Sequence, residues 1–113
     1  MPQYGILIYR DESRDGEFDW PRIESDYVAY FKQAAEAGIL QHGPRFGPSS
    51  MTRTVKVRDG RRVVGDGPLN ETREQIGGTF VLECRDFDDA VDWAARCPGA
   101  AHGVVEVRPL LPS

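Results

Sequence analysis

The chain is poor in the side chains that most often carry site chemistry. It has two cysteines, Cys84 and Cys97, and two histidines, His42 and His102. The cysteines form neither a C-x-x-C pair nor a zinc-type spacing, so no metal set is expected and both thiols are read as free, in a reducing compartment. Positive charge is not in excess: 14 Lys and Arg stand against 18 Asp and Glu, for a net charge of −4. That balance argues against a nucleic-acid-binding face. No apolar run is long enough to cross a bilayer, and Met1 to Tyr9 lacks a basic region ahead of a long apolar core. Neither a membrane span nor a secretory leader is therefore expected, and the protein is read as cytoplasmic. A P-loop, a G-x-G-x-x-G turn and a serine nucleophile elbow are also missing, and no cofactor is expected.

What remains is 113 residues with 40% hydrophobic content, which fits one domain over residues 1–113 with a single core. Tyr4 to Tyr9 is a short apolar run rich in strand formers and reads as a central strand covered on both faces. Arg10 to Asp19 is polar and reads as a long loop. A helix follows, with Asp19 as N-cap, Pro21 in its first turn and Gly38 just past its end. Ile23, Tyr27, Tyr30, Phe31, Ala34 and Ala35 recur at three- and four-residue steps and make its apolar face.

Ile39 to His42 reads as a brief strand, and the stiff Gly43 to Pro48 segment cannot enter a sheet interior. Met51 to Arg58 alternates, Asp59-Gly60 is a two-residue hairpin signal, and Arg61 to Val64 returns. Thr79 to Cys84 is another strand. Asp86 caps a second helix with Phe87, Ala90, Val91, Ala94 and Cys97 on its buried side, which Pro98 should stop. Gly99 to Gly103 reads as a loop and Val104 to Val107 as the last strand. The order β-α-β, hairpin, β-α-β predicts an α+β fold with an antiparallel sheet and both helices on one face. The other face is left bare, with Thr79, Val81, Tyr4 and Ile6 expected there, and an apolar patch of that kind predicts a partner.

The stretch from Gly65 to Gly78 concentrates turn chemistry and acids. Asp66-Gly67-Pro68 has the bonding, positive-φ and fixed-φ residues of a turn. Glu71 and Glu74 keep an i,i+3 spacing, which sets them on one face if Asn70 to Ile76 makes a helical turn, and Gly77-Gly78 is expected to bend the backbone into the next strand. Together with Arg73-Glu74 and Leu69, these residues resemble the signature of the DGPF branch of the YCII-related family. The resemblance extends to the opening strand, the helix ending at Gly38, Trp93 to Pro98 and Val105 to Pro109. Leu69 stands where that branch usually has Phe, and Arg73 where it usually has Lys. The resemblance implies a dimeric α+β barrel of ferredoxin-like subunits, hence a homodimer through the bare sheet face. In the wider family a helix-1 histidine and a downstream aspartate are proposed as a catalytic pair. The histidine position falls on Tyr27 here, and Asp66 is the best match for the aspartate.

Candidate catalytic residues are Asp66, Tyr27 and His42. Asp66 and the two glutamates would shift one another's pKa in a dry site, and an imidazole near pH 7 gives or takes a proton. Candidate substrate-binding residues are Tyr9, Arg53, Glu71, Glu74, His102 and Arg108. Asp66, Glu71 and Glu74 suit a hard cation in charge but not in spacing, so no metal is expected. Two readings follow: a cofactor-independent lyase, isomerase or dehydratase acting on a small molecule, or a non-catalytic dimeric binding module. An apolar pocket with converging polar groups favours the first; an open, solvated Gly65 to Gly78 segment favours the second.

Overall fold

β1 (Gln3–Asp11) runs through the middle of a four-stranded sheet of order β2-β5-β1-β6, every neighbour pair antiparallel. The computed structural model describes residues 1–111, the side chain of His42 excepted. After β1 the chain crosses on α1 (Trp20–Glu36) to β2 (Leu40–His42). It then leaves the sheet as a hairpin, β3 (Arg53–Arg58) and β4 (Arg61–Asp66), and returns as β5 (Glu74–Glu83). A second crossover on α2 (Phe87–Ala95) and the short α3 (Pro98–His102) leads to β6 (Val104–Pro109). This is the ferredoxin-like order, with β3 and β4 inserted as a separate two-stranded sheet.

Local chemistry sets these boundaries. The Asp19 carboxylate accepts from the Arg22 amide at 3.3 Å, and Asp86 accepts from the Asp89 amide at 2.8 Å, so both N-caps form as read. Gly38 takes φ 74° past the end of α1, and Asp59 and Gly60 take φ 52° and 73° at the hairpin tip. Tyr30 and Ala34 of α1 and Ala90 and Ala94 of α2 close over Ile6, Phe80 and Leu82. The Tyr30 hydroxyl donates to the Trp93 carbonyl at 2.8 Å and ties the two helices together.

Several expectations are corrected. Tyr4 and Ile6 lie on the helix-covered face and are buried, because strand alternation sends Gly5 and Leu7 to the other side. β1 is thus covered by helices on one face only. It continues to Asp11, and Glu12 to Glu17 forms a 3-10 turn that Asp11 caps by accepting from the Ser13 amide at 3.0 Å. Pro98 ends α2 but also opens α3, since proline is favoured in a first turn. Asn70 to Ile76 forms no helical turn. β5 starts at Glu74, paired opposite Asp11, and its ladder continues the β1 register. Gly77 and Gly78 lie inside β5, where the register shifts opposite Ile8 and Tyr9, so they form a bulge and not a bend between elements.

Candidate functional site

The apolar face of α1 does two jobs along its length. Its later part packs on the sheet, whereas Trp20, Ile23, Tyr27 and Phe31 stand over a gap of about 320 Å³ between α1, β1 and the bulged start of β5. The gap exists because the floor opposite these rings is low: Gly77, Gly78 and Gly43 line it with backbone. Tyr27 and Phe31 stack at 5.8 Å between ring centroids, and Phe31 meets Phe80 edge-on at 5.2 Å. The walls are therefore largely aromatic, the usual character of a small-molecule pocket.

Polar groups enter at four places. At the inner wall, a side chain on Gly99 would bring a Cβ 2.5 Å from the Tyr27 hydroxyl and 2.7 Å from Ile8, so only glycine allows this approach. The Cys97 thiol donates to the Tyr27 hydroxyl at 3.8 Å. Burial pushes the Tyr27 phenol far above its ordinary value, and burial also raises the Cys97 thiol. Both are neutral at pH 7, so Tyr27 keeps its proton there and is not a base.

At the sheet side, Arg10 shares the helix-facing side of β1 with Ile8. Its Nε and Nη2 donate to the two Asp15 carboxylate oxygens at 2.9 and 3.1 Å. Its guanidinium lies 5.3 Å from the Trp20 ring centroid, and the Trp20 indole donates to the Asp15 carbonyl at 2.8 Å. At the mouth, Arg45 approaches Glu24 at 3.7 Å, both exposed. His102 closes one end, its ring 5.2 Å from Phe18.

Of the residues expected at a site, Tyr27, Tyr9 and His102 line this cavity. The Tyr9 phenol is raised chiefly by its pairing with Glu106, a partner on the bare side of the sheet. The side chain of His42 lies outside what is described; its backbone precedes the Gly43 floor. Asp66 does not face the cavity. β4 continues through it, its side chain is 98% exposed, and Arg53 approaches it at 4.0 Å. Arg53, Glu71, Glu74 and Arg108 are exposed and also lie outside the lining, Arg108 reaching Glu106 at 3.4 Å. Among the described residues no three His, Cys, Asp or Glu side chains come together as a metal set.

Arg10, Trp20, Glu24 and Arg45 were not expected at a site. Two of them carry a readable signal. Arg10 continues the Ile6, Ile8 alternation of β1, and Trp20 precedes Ile23 and Tyr27 by three and seven residues on the same helix face. Arg45 arrives through pairing that no local pattern announces, an isolated bridge to Gly78.

Comparison with known proteins places the chain. The model of the YCII-related domain matches residues 4–113. The chain is also 34% identical over 112 residues to an uncharacterised protein of Rhizobium meliloti (strain 1021), covering 95% of this chain and 90% of that one. Among the described residues no helix is long and apolar enough to cross a membrane.

Proposed function

For this chain, which belongs to the YCII-related family, we propose that the gap under α1 is a binding site for a small, planar, largely apolar molecule. The observation that carries the reading is the aromatic cavity of about 320 Å³ with Tyr27 and Arg10 at its walls. Its size and mixed lining are those of a site for a one- or two-ring compound. The carboxylates of the Gly65 to Gly78 segment take no part. The test uses 2-naphthol, followed by quenching of Trp20, which lines the cavity. Wild-type protein should bind it, and Val28→Trp, at a mouth position that is 70% exposed, should weaken binding without touching the core. Absence of binding at millimolar probe overturns the reading.

Turnover of that ligand by acid/base chemistry, as in a lyase, isomerase or dehydratase, is the second reading. It is favoured by a neutral phenol, Tyr27, and an imidazole, His102, on one cavity. Delivery of a deuteron from the exchanged Tyr27 hydroxyl to a ring carbon of a bound hydroxylated aromatic in D₂O, with His102 taking the displaced proton, would leave deuterium on that carbon, visible by NMR. Wild-type protein should catalyse the exchange, and Tyr27→Phe should lose it by roughly a hundredfold while still binding. No exchange across such compounds leaves the binding module.

The same proposal includes the DGPF branch, supported by Asp66-Gly67-Pro68, and a cytoplasmic setting, supported by the free thiols of Cys84 and Cys97. It also includes a homodimer. Leu7, Thr79 and Val81 share the sheet face that no described helix covers, and a two-stranded hairpin is marginal alone. Light scattering should give twice 12.6 kDa at micromolar concentration; a monomer refutes it.

A further inference from the structure

Arg10 is held more firmly than a structural ion pair requires. Asp15 takes Nε and Nη2 in a two-point contact, and the Trp20 ring lies 5.3 Å from the guanidinium carbon. The bulge residue Gly77 leaves open the space beside Nη1, where a Cβ would sit 2.6 Å away. Nη1 itself has no hydrogen-bond partner among the described residues. A guanidinium fixed in plane with one N–H edge toward an apolar cavity is a preorganised donor for a carboxylate. Tyr27 stands on the same cavity and accepts from Cys97, which leaves its own proton free for a ligand oxygen. The other charges at the site do not oppose an anion: Asp15 is taken up by Arg10, and Glu24 at the mouth faces Arg45 at 3.7 Å.

We propose that Arg10 reads a carboxylate, so that the ligand class of this cavity is the small planar aromatic acid, its ring between α1 and the β5 bulge and its anionic group on Nη1. The assignment rests on the cavity being a ligand site. Because Asp15 already balances the arginine, the gain comes from one charge-assisted hydrogen bond and not from a full unpaired charge. That corresponds to a preference of about tenfold for an acid over its amide.

The experiment measures dissociation constants of 2-naphthoate and 2-naphthamide by calorimetry on the full chain. Wild-type protein should favour the acid about tenfold. Arg10→Met should bring the two to within about twofold by weakening the acid alone. Gly77→Ala keeps the charge but crowds Nη1, and should give the same loss, so it decides the matter if Arg10→Met does not fold. Equal binding of acid and amide by wild type overturns the assignment while leaving the cavity a binding site. A preference that survives both folded variants overturns the role of Arg10. Binding of neither probe overturns the assignment and the site together.

Discussion

In the four-stranded sheet Ile6, Phe80 and Leu82 are at most 1% exposed, whereas Val55, Val57, Val63 and Val64 of the β3–β4 hairpin are 62, 60, 44 and 47% exposed. Both regions are antiparallel strands with strand-forming residues, and both have good turn chemistry. They differ in what lies above them. α1 and α2 cover the sheet, whereas among the described residues no helix covers the hairpin. The polar residues follow the same division. On the hairpin and the segment after it, Arg53, Asp66, Glu71 and Glu74 are solvated. Under α1, Tyr27 and Arg10 are fixed by neighbours. A polar side chain gains a defined direction where packing removes its alternatives.

The contrast is broken most strongly by truncation. Phe80→Ala should destabilise by about 3–5 kcal/mol through the lost burial and the cavity it leaves. Val63→Ala on the hairpin should change a monomer by no more than about 0.5 kcal/mol. Urea midpoints measure both. A large effect at Val63 would mean that the hairpin is covered in solution, as the proposed homodimer allows.

Alkaline pH probes the buried side of the contrast. The folded chain holds the protons of Cys97 and Tyr27 more tightly than the unfolded chain does, because burial penalises their anions. Stability is therefore full while both states are protonated. It falls as pH rises through the ordinary values of 9.0 for the thiol and 10.0 for the phenol, where only the unfolded chain ionises. A group as buried as Cys97 gives a slope of up to about 1.4 kcal/mol per pH unit. Midpoints from about pH 8 to pH 10.5 should show the fall, and Cys97→Ala should lessen it without abolishing it, because burial also raises Cys84, Tyr27 and Tyr30. A flat wild-type profile would mean that these groups are solvated.

Gly99→Ala sharpens the comparison inside the cavity. Its new methyl group meets the Tyr27 hydroxyl and Ile8, so it should cost about 1–3 kcal/mol and weaken 2-naphthol binding by displacing the phenol. An unchanged melting point would place α3 further from Tyr27. The smallest effect belongs to Asp66→Asn, which should leave both the unfolding midpoint and probe binding where they were. A loss of binding there would bring the hairpin into the site.

Much of the architecture is readable along the chain because it is set by local rules. The period of α1, the caps Asp19 and Asp86, Gly38 and the Asp59-Gly60 turn each act within a few residues. The site is less so. The richest turn motif, Asp66-Gly67-Pro68, signals a loop through glycine, proline and acid, but that chemistry only returns a solvated hairpin to the sheet. His102 and Tyr27 were visible as residue types, though not as neighbours. Arg10 ends an apolar strand and looks like the first residue of a loop; its clamp forms only because the Glu12 to Glu17 turn folds Asp15 back onto it.

By itself, then, the sequence determined most of the elements, their order and the apolar face of α1, since propensity, capping and periodicity act over one or two turns of chain, but not which face of β1 the helices would cover. Only the tertiary structure decided where the gap falls. It decided this by setting residues distant in sequence, Arg10, Tyr27, Gly77 and Gly99, around one volume that no described side chain fills. A cavity is a property of what several elements leave unoccupied, and no single segment carries that information.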